Sequence, residues 1–509
     1  MKLLKSNSVL VGLGSFLVMG FTTMPAFASD QVKSKPKKVE YVRFLDLLPK
    51  ALLLDKGIEN ASFGLEAAKE SQKASRSGWY PKADITLNSA RQEDFNPNAA
   101  NKKYNPTEAK IKVTQKLWDF GETSAAIKSS GLARTMAEIG LNGAKNQAIL
   151  KAAQAYIGLK KAHAQYKIAR DSEAQLKKQT GIQDFRLSRG ASVGTDVLQA
   201  KNALAGATTA RVAADGGYRM AAAKFKSVFG VMPASVDALL PIEIPNLLIP
   251  KTEEEFKEAV MRNGDQLLRA RTSYEMSMVN SDKSVAANFL PEFNFTAEMN
   301  YKGDAGGTLG GKNETIAKVE MTWPIELFGT QFNTHRATML TGKAAAVGYA
   351  QAVKGVEDAI SSSWIGYQLA KLNRANVQNQ VKIAEQFLRL SQMEVKKGRG
   401  KMNLVVNAQS ALINARKALQ DNTSDHAVQV YNILAQMGEL SVAKLEDASI
   451  KESEMIKKSM DDYKKKVAEA QEKAKSQAEA KKKPGALLTK DQMKEAWGKL
   501  KGKLKNATE

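Results

Sequence analysis

The sequence predicts a mainly α-helical chain that also carries part of a membrane β-barrel, with one helix–strand–strand–long helix–helix plan used twice. Three observations predict this. The chain matches itself at a constant offset. Each copy holds two strictly alternating segments, close to the length that crosses a bilayer. Each copy then enters a proline-free stretch far longer than an ordinary globular helix.

The repeat is the first of these. Trp118-Asp119-Phe120-Gly121 resembles Glu326-Leu327-Phe328-Gly329, and Ala155-Tyr156-Ile157-Gly158 resembles Ser363-Trp364-Ile365-Gly366. Gly121 to Gly329, Gly158 to Gly366, Gly190 to Gly398 and Leu204 to Leu412 are each 208 residues apart. Upstream, Tyr80-Pro81 and Leu290-Pro291 are 210 apart, so a small insertion separates the copies there. A period this long is a duplicated domain, not a solenoid. The expected division is a first repeat over 29–230, a proline-rich linker over 231–251, a second repeat over 252–440 and a Lys-rich tail over 441–509.

The strands are expected at about 82–90, 109–117, 292–301 and 315–323. In the first, Ala83, Ile85 and Leu87 alternate with Asp84, Thr86 and Asn88. In the third, Phe293, Phe295, Ala297 and Met299 alternate with Asn294, Thr296 and Glu298. Period two with one apolar face is the half-buried strand pattern. Each run approaches the roughly 9–11 residues of a tilted membrane strand. Phe293, Tyr301 and Trp323 fall near strand ends, where aromatic girdles sit. The turn-rich segments 96–106 and 303–311 read as hairpin loops. The second imitates a phosphate-binding loop, with Gly306 and Gly311-Lys312 at the right spacing. Asn313 stands where that loop needs Ser or Thr, and a strand follows where a helix is required, so no nucleotide is expected there.

Residues 121–186 and 329–396 are the long helices. At ~1.5 Å per residue each makes a rod of about 100 Å. Ala152, Ala155, Leu159, Ala162, Tyr166 and Ala169 step by three and four, the spacing of a coiled-coil seam. Each rod ends in a basic, glycine-containing turn. Arg189-Gly190 closes the first, and Gly398-Arg399-Gly400-Lys401 closes the second. Gly190 and Gly398 suit helix C-terminal ends. Thr195 and Asn403, at equivalent positions, are expected as N-caps of the return helices. Asp196 then falls in the first turn, where the helix dipole favours an acid.

Lys2 and Lys5, the apolar stretch 9–21 and Ala26-Phe27-Ala28 read as a secretory signal peptide over 1–28. No later apolar run is long enough for a transmembrane helix. The chain has no cysteine, which excludes thiol catalysis and thiolate metal sites. His163, His335 and His426 lack ligand spacing. The net charge is +23, but export argues against a nucleic-acid partner, and the lysines are interleaved with acids. No catalytic residue, cofactor or metal is expected, and an enzyme is the least supported reading. Four membrane strands cannot close, because lipid tolerates no open sheet edge and single-chain barrels begin at eight strands. Other subunits must complete them. The rods far exceed the ~30 Å bilayer core and must project into water.

With the duplicated plan, the junction Leu117-Trp118-Asp119-Phe120-Gly121 and the tip segment Thr195-Asp196-Val197-Leu198-Gln199-Ala200, the sequence resembles the TolC family of outer-membrane efflux and secretion channels over roughly 45–440. The resemblance implies a homotrimer in the outer membrane, with a twelve-stranded β-barrel and a periplasmic α-helical barrel. It implies a periplasmic adaptor and an inner-membrane pump or ABC exporter as partners. It also implies a mouth closed by the helix tips, placing Arg189, Gly190, Thr195, Asp196, Gly398, Arg399, Lys401, Asn403 and Asn407 at the gate and adaptor contact. The family's Tyr before the second tip is Val395 here. Its acidic mouth positions match Leu404 and Asn407, and its gating Arg matches Gly400, beside Arg399. Asp196 can pair with Arg399 or Lys401 across a tip interface, or it can act only on its own helix end. A periplasmic coiled-coil adaptor or a structural filament are the alternative readings. The first lacks a place for the second hairpin, and the other leaves the four strands unexplained.

Overall fold

The computed structural model describes residues 41–457, apart from 96, 98–101, 191–192, 305–309, 327 and 456. The expected signal peptide, Gly306 and the tail beyond 457 lie outside the described residues. In chain order the elements are α1 (Phe44–Leu54), α2 (Lys56–Arg76), β1 (Lys82–Ser89), β2 (Gln92–Asp94), β3 (Lys102–Tyr104), β4 (Thr107–Trp118), α3 (Glu122–Ser188) and α4 (Gly194–Phe229). There follow α5 (Glu253–Asn263), α6 (Asp265–Phe289), β5 (Glu292–Gly303), β6 (Gly311–Thr322), α7 (Thr330–Lys396) and α8 (Met402–Gln436).

The two rods, α3 and α7, are each 67 residues long. Both begin after a glycine in the left-handed region, Gly121 (φ +100°) and Gly329 (φ +77°), which turns the chain from strand into helix. Each rod changes partners along its length. The first half of α3 packs on α2 and α6, with Arg134 donating to Gln72 at 3.3 Å and Ser129 to Asn280 at 2.8 Å. Its second half packs on α4 and α8. There Arg211 pairs with Glu173 at 2.7 Å, and Gln165 donates to Asp421 at 2.7 Å. Rod α7 likewise meets α6 and then α8, where Arg416 pairs with Glu385 at 2.8 Å.

The core lies where the rods change partners. Tyr156 of α3, Phe225 and Phe229 of α4, Phe256 of α5, and Ile433 and Leu434 of α8 are fully enclosed there. Each contributes about 1.5–3 kcal/mol by leaving water. The segment between the repeats is tied into this core. Val42 forms a parallel bridge with Leu239. The Tyr156 hydroxyl donates to the Leu240 carbonyl at 2.6 Å, and the Tyr431 hydroxyl donates to that of Glu243 at 3.0 Å. Burial raises both phenols above their ordinary pKa, which keeps them neutral donors.

At the far end of α2, α6 and the rod starts lies one antiparallel sheet, ordered β1-β4-β5-β6. The central β4–β5 pairing joins the two repeats. It runs from Thr107↔Gly303 to Lys116↔Asn294, with an irregularity before Trp118↔Phe293. Among the described residues, the outer strands β1 and β6 leave both sheet edges unpaired. Two expected loops are shorter than the sequence suggested. Gly303 and Gly311 pair directly, so β6 begins at Gly311, four residues before the expected start. Residues 92–94 and 102–104 pair as β2 and β3, continuing the first hairpin past the break at Pro106.

Candidate functional site

The sheet has its apolar face on the outside. Register sets Ile85, Ile111, Met299 and Thr315 side by side on one face, and Asp84, Lys112, Glu298 and Ile316 on the other. No charged residue stands on the first face in the paired rows of the four strands. Ile85, Leu87, Met299 and Val319 are open to the surroundings, whereas Thr296, Glu298 and Asn300 on the polar face are buried. The Glu298 carboxylate lies 3.0 Å from Lys110 Nζ and 3.7 Å from that of Lys112. A water-soluble sheet buries the opposite face. This one is built for a hydrocarbon exterior and an aqueous interior.

Below the sheet the exterior becomes aromatic. Trp118, Phe120, Trp323 and Phe328 are all exposed, and the Trp118 and Phe120 rings meet edge to face at 5.9 Å. This is the composition of a membrane–water interface. Phe120 itself has φ +50°, a left-handed conformation for a residue with a side chain. Asp119 holds this corner. Its carboxylate is buried and accepts from Gly121 N–H at 3.1 Å and Thr123 N–H at 2.8 Å, with Lys116 Nζ at 3.3 Å. Burial alone would push this carboxyl up. The hydrogen bonds from Thr123 and Gly121, together with the Lys116 charge, outweigh that and hold it below the ordinary aspartate value.

The other end carries the helix tips. Gly190 and Gly398 both lie in the left-handed region, at φ +71° and +72°. In the second tip the Gly398 N–H donates to Val395 O at 3.2 Å and the Arg399 N–H to Glu394 O at 3.0 Å. These are the paired bonds of a Schellman cap, which satisfy the last carbonyls of α7. Gly400 is tightly placed as well, because a Cβ there would sit 3.0 Å from that of Glu394 and 3.2 Å from Val395 N, so the turn would have to shift by a few tenths of an ångström. In the first tip the Gly190 N–H donates to Leu187 O at 2.9 Å, and the Arg189 guanidinium lies 4.6 Å over the Phe185 ring.

Thr195 and Asn403 are not N-caps. The helices begin at Gly194 and Met402, two residues earlier than such caps would place them, so Val193 and Lys401 occupy the cap positions, without a side-chain cap bond at either. The backbone closes the turns instead, through Asp196 N–H to Val193 O at 3.0 Å and Leu404 N–H to Lys401 O at 3.1 Å. Thr195 and Asn403 are exposed inside their first turns, and Asn407 is exposed one turn further along α8. Asp196 does sit in the first turn of α4. Behind the turns, Val197 and Ala200 of α4 pack on α3, and Val405, Ala408 and Leu412 of α8 pack on Ala384 and Leu388 of α7. Arg189, Gly190, Thr195 and Asp196 therefore share one tip. Gly398, Arg399, Lys401, Asn403 and Asn407 share the other. Among the described residues, no hydrogen bond or ion pair joins the two tips.

The pairing of Glu298 with Lys110 and Lys112 was beyond sequence reasoning, since it depends on the register between strands almost two hundred residues apart. The Asp119 cap had a signal: an acid four residues before a helical amide, ahead of a glycine. Among the described residues no acid–histidine group is disposed to hold a metal, and no helix is long and apolar enough to cross a membrane.

The sequence model of the family described as outer membrane efflux protein matches residues 47–231 and 265–439, more than half of the chain. Each matched segment contains two adjacent strands of the four-stranded sheet, one rod and its return helix. No curated protein sequence matches the chain. Among solved structures, the CmeC outer membrane channel of Campylobacter jejuni aligns at 14% identity and TM-score 0.67, covering 79% of this chain and 89% of that one. The outer membrane protein VceC of Vibrio cholerae aligns at 15% identity and TM-score 0.67, covering 78% and 96%. The open state of the Neisseria gonorrhoeae MtrE outer membrane channel aligns at 16% identity and TM-score 0.65, covering 78% and 89%. At these identities the likeness shows the fold.

Proposed function

The chain belongs to the outer membrane efflux protein family, and from that premise we propose that three copies form a passive exit duct across the outer membrane. The observation that carries the proposal is the inverted sheet whose two edges have no partner strand among the described residues. Lipid does not accept a free strand edge, so β1 and β6 must pair between copies. Two copies would give eight strands, an interior that side chains fill. Three give twelve and leave room for a lumen. The rods continue the tube for about 100 Å. The duct serves a tripartite efflux pump or a type I protein secretion system. A periplasmic adaptor docks at the helix tips, and an inner-membrane pump or ABC exporter supplies the energy. Arg189, Gly190, Thr195 and Asp196 of the first tip, with Gly398, Arg399, Lys401, Asn403 and Asn407 of the second, form the gate.

Membrane fractionation followed by native mass of the detergent-extracted protein tests this reading. The expected result is outer-membrane recovery at three times the subunit mass. A soluble monomer, or an assembly of two, overturns it.

A further inference from the structure

The tips carry a charge pattern that the fold does not demand. Arg186, Arg189, Lys396, Lys397, Arg399 and Lys401 lie within the two turns or the last helical turn before them, and all except the half-buried Arg186 are exposed. Among the described residues none of the six makes an ion pair. The ion pairs nearest the tips are Asp184–Lys201 at 3.3 Å, Glu173–Arg211 and Glu385–Arg416, all further back along the hairpins. The acids left over at the turns are Asp196 and Glu394. Each chain therefore ends in a net excess of four positive charges.

Helix energetics accounts for part of this pattern. Arg186 and Lys396 are in the last turns of α3 and α7, where the dipole favours a cation. Lys401 breaks the same rule. It occupies the N-cap position of α8, a helix with no acid in its first turn and no side-chain cap. A cation there adds to the positive end of the dipole and to Arg399 two residues away. Local rules of this kind are broken where function outweighs stability. The sheet interior offers no counterweight, since its polar face carries seven lysines against six carboxylates over the paired rows.

We propose that the helix-tip mouth is an anion-favouring filter, which admits chloride and anionic solutes ahead of cations. The proposal rests on the tubular trimer described above. Threefold repetition brings the net positive charge of three chains, which remains in excess even where Asp196 meets a cation of a neighbouring copy, around one opening, where low-dielectric walls focus its field. The filter acts through local concentration, so it weakens as salt screens it. The Debye length falls from about 10 Å at 0.1 M to about 3 Å at 1 M.

The test is reconstitution of the full-length protein in planar bilayers of neutral lipid under a potassium chloride gradient, reading the zero-current potential. The expected sign is that of chloride permeation, shrinking toward zero as both compartments approach molar salt. The double variant Arg399→Glu, Lys401→Glu should lower the chloride-to-potassium permeability ratio by a factor on the order of ten, the lower range for a focused surface field. If that variant assembles poorly, Lys396→Gln with Lys397→Gln gives the same direction with a smaller shift. A wild-type potential of potassium sign, or ratios unmoved by both variants, overturns the filter while leaving the duct intact. No conductance steps at any voltage sinks the duct itself.

Discussion

Glu298 and Met299 are neighbours on β5 with inverted exposures: the carboxylate residue is 8% exposed and the thioether residue 61%. One residue step moves the chain from an ion pair with Lys110 to an open apolar surface. Only an apolar solvent makes that arrangement favourable. An arginine on the outer face near the bilayer centre costs about 2–4 kcal/mol, while one on the inner face costs little. Met299→Arg or Ile85→Arg should therefore reduce outer-membrane recovery of the assembled protein several-fold. Thr86→Arg, adjacent to Ile85 but on the polar face, should leave it near wild type. Equal losses from Ile85→Arg and Thr86→Arg would show that the sheet is not lipid-facing.

At the corner between barrel and rod, Asp119 has its pKa held below the ordinary aspartate value. A depressed carboxyl contributes stability that is fully present above the unfolded-state pKa and is lost as pH falls through the folded value. Asp119→Asn keeps the shape and removes the charge that meets Lys116 and the α3 amides. Hydrogen bonds to a charged group are worth about 1.5–3 kcal/mol each, so a loss on that order is expected. Thermal unfolding across pH checks it. The variant should be weaker than wild type at neutral pH, and the gap should close under acid conditions, where the native carboxyl protonates too.

Much of this architecture was legible in the sequence because each signal rested on backbone physics. Alternation at Ala83-Ile85-Leu87 reports a strand wherever its partners lie, and a rod without proline reports a helix whatever packs on it. The constant offset from Gly121 to Gly329 and from Gly190 to Gly398 marked positions that all proved to need positive φ. The failures were local competitions. Thr195 and Asn403 are good capping residues, but the bonds Asp196 N–H to Val193 O and Leu404 N–H to Lys401 O start each helix two residues earlier than those caps would. Gly303 and Gly311 read as loop residues, yet they pair, because the hairpin tightens around Asp304, whose N–H donates to Gly310 O at 3.0 Å. Register across β4 and β5, which creates the Glu298 cluster, has no short-range signature.

The Schellman cap at the second tip gives a sharper handle on the mouth than the first tip does. At Gly398 an alanine must adopt a left-handed conformation, at about 1–2 kcal/mol. At Gly400 an added Cβ meets Glu394 and the Val395 backbone. Gly398→Ala and Gly400→Ala should each loosen the turn without touching the Ala384–Leu412 core behind it. Hydrogen exchange at Arg399 and Gly400 should rise, while the amides of α8 beyond Leu412 keep wild-type protection. Faster exchange throughout α8 would mean that the hairpin depends on the turn rather than on its core.

Asp196 decides between two roles that the position serves equally well. As a first-turn acid of α4 it stabilises the helix end by about 0.3–1 kcal/mol. As a gate residue it pairs with Arg399 or Lys401 of a neighbouring copy and holds the mouth closed, an arrangement supported by the absence of any ion pair for Asp196 among the described residues of its own chain. Asp196→Asn separates the roles. The gate role predicts higher single-channel conductance with unchanged trimer yield. The helix-end role predicts unchanged conductance and a small loss of thermal stability. Exchanging the charges, as Asp196→Arg with Arg399→Asp, should restore the wild-type conductance if the pair exists. We expect conductance to rise in the single variant and to return in the exchange. Unaltered conductance in both confines Asp196 to its own helix.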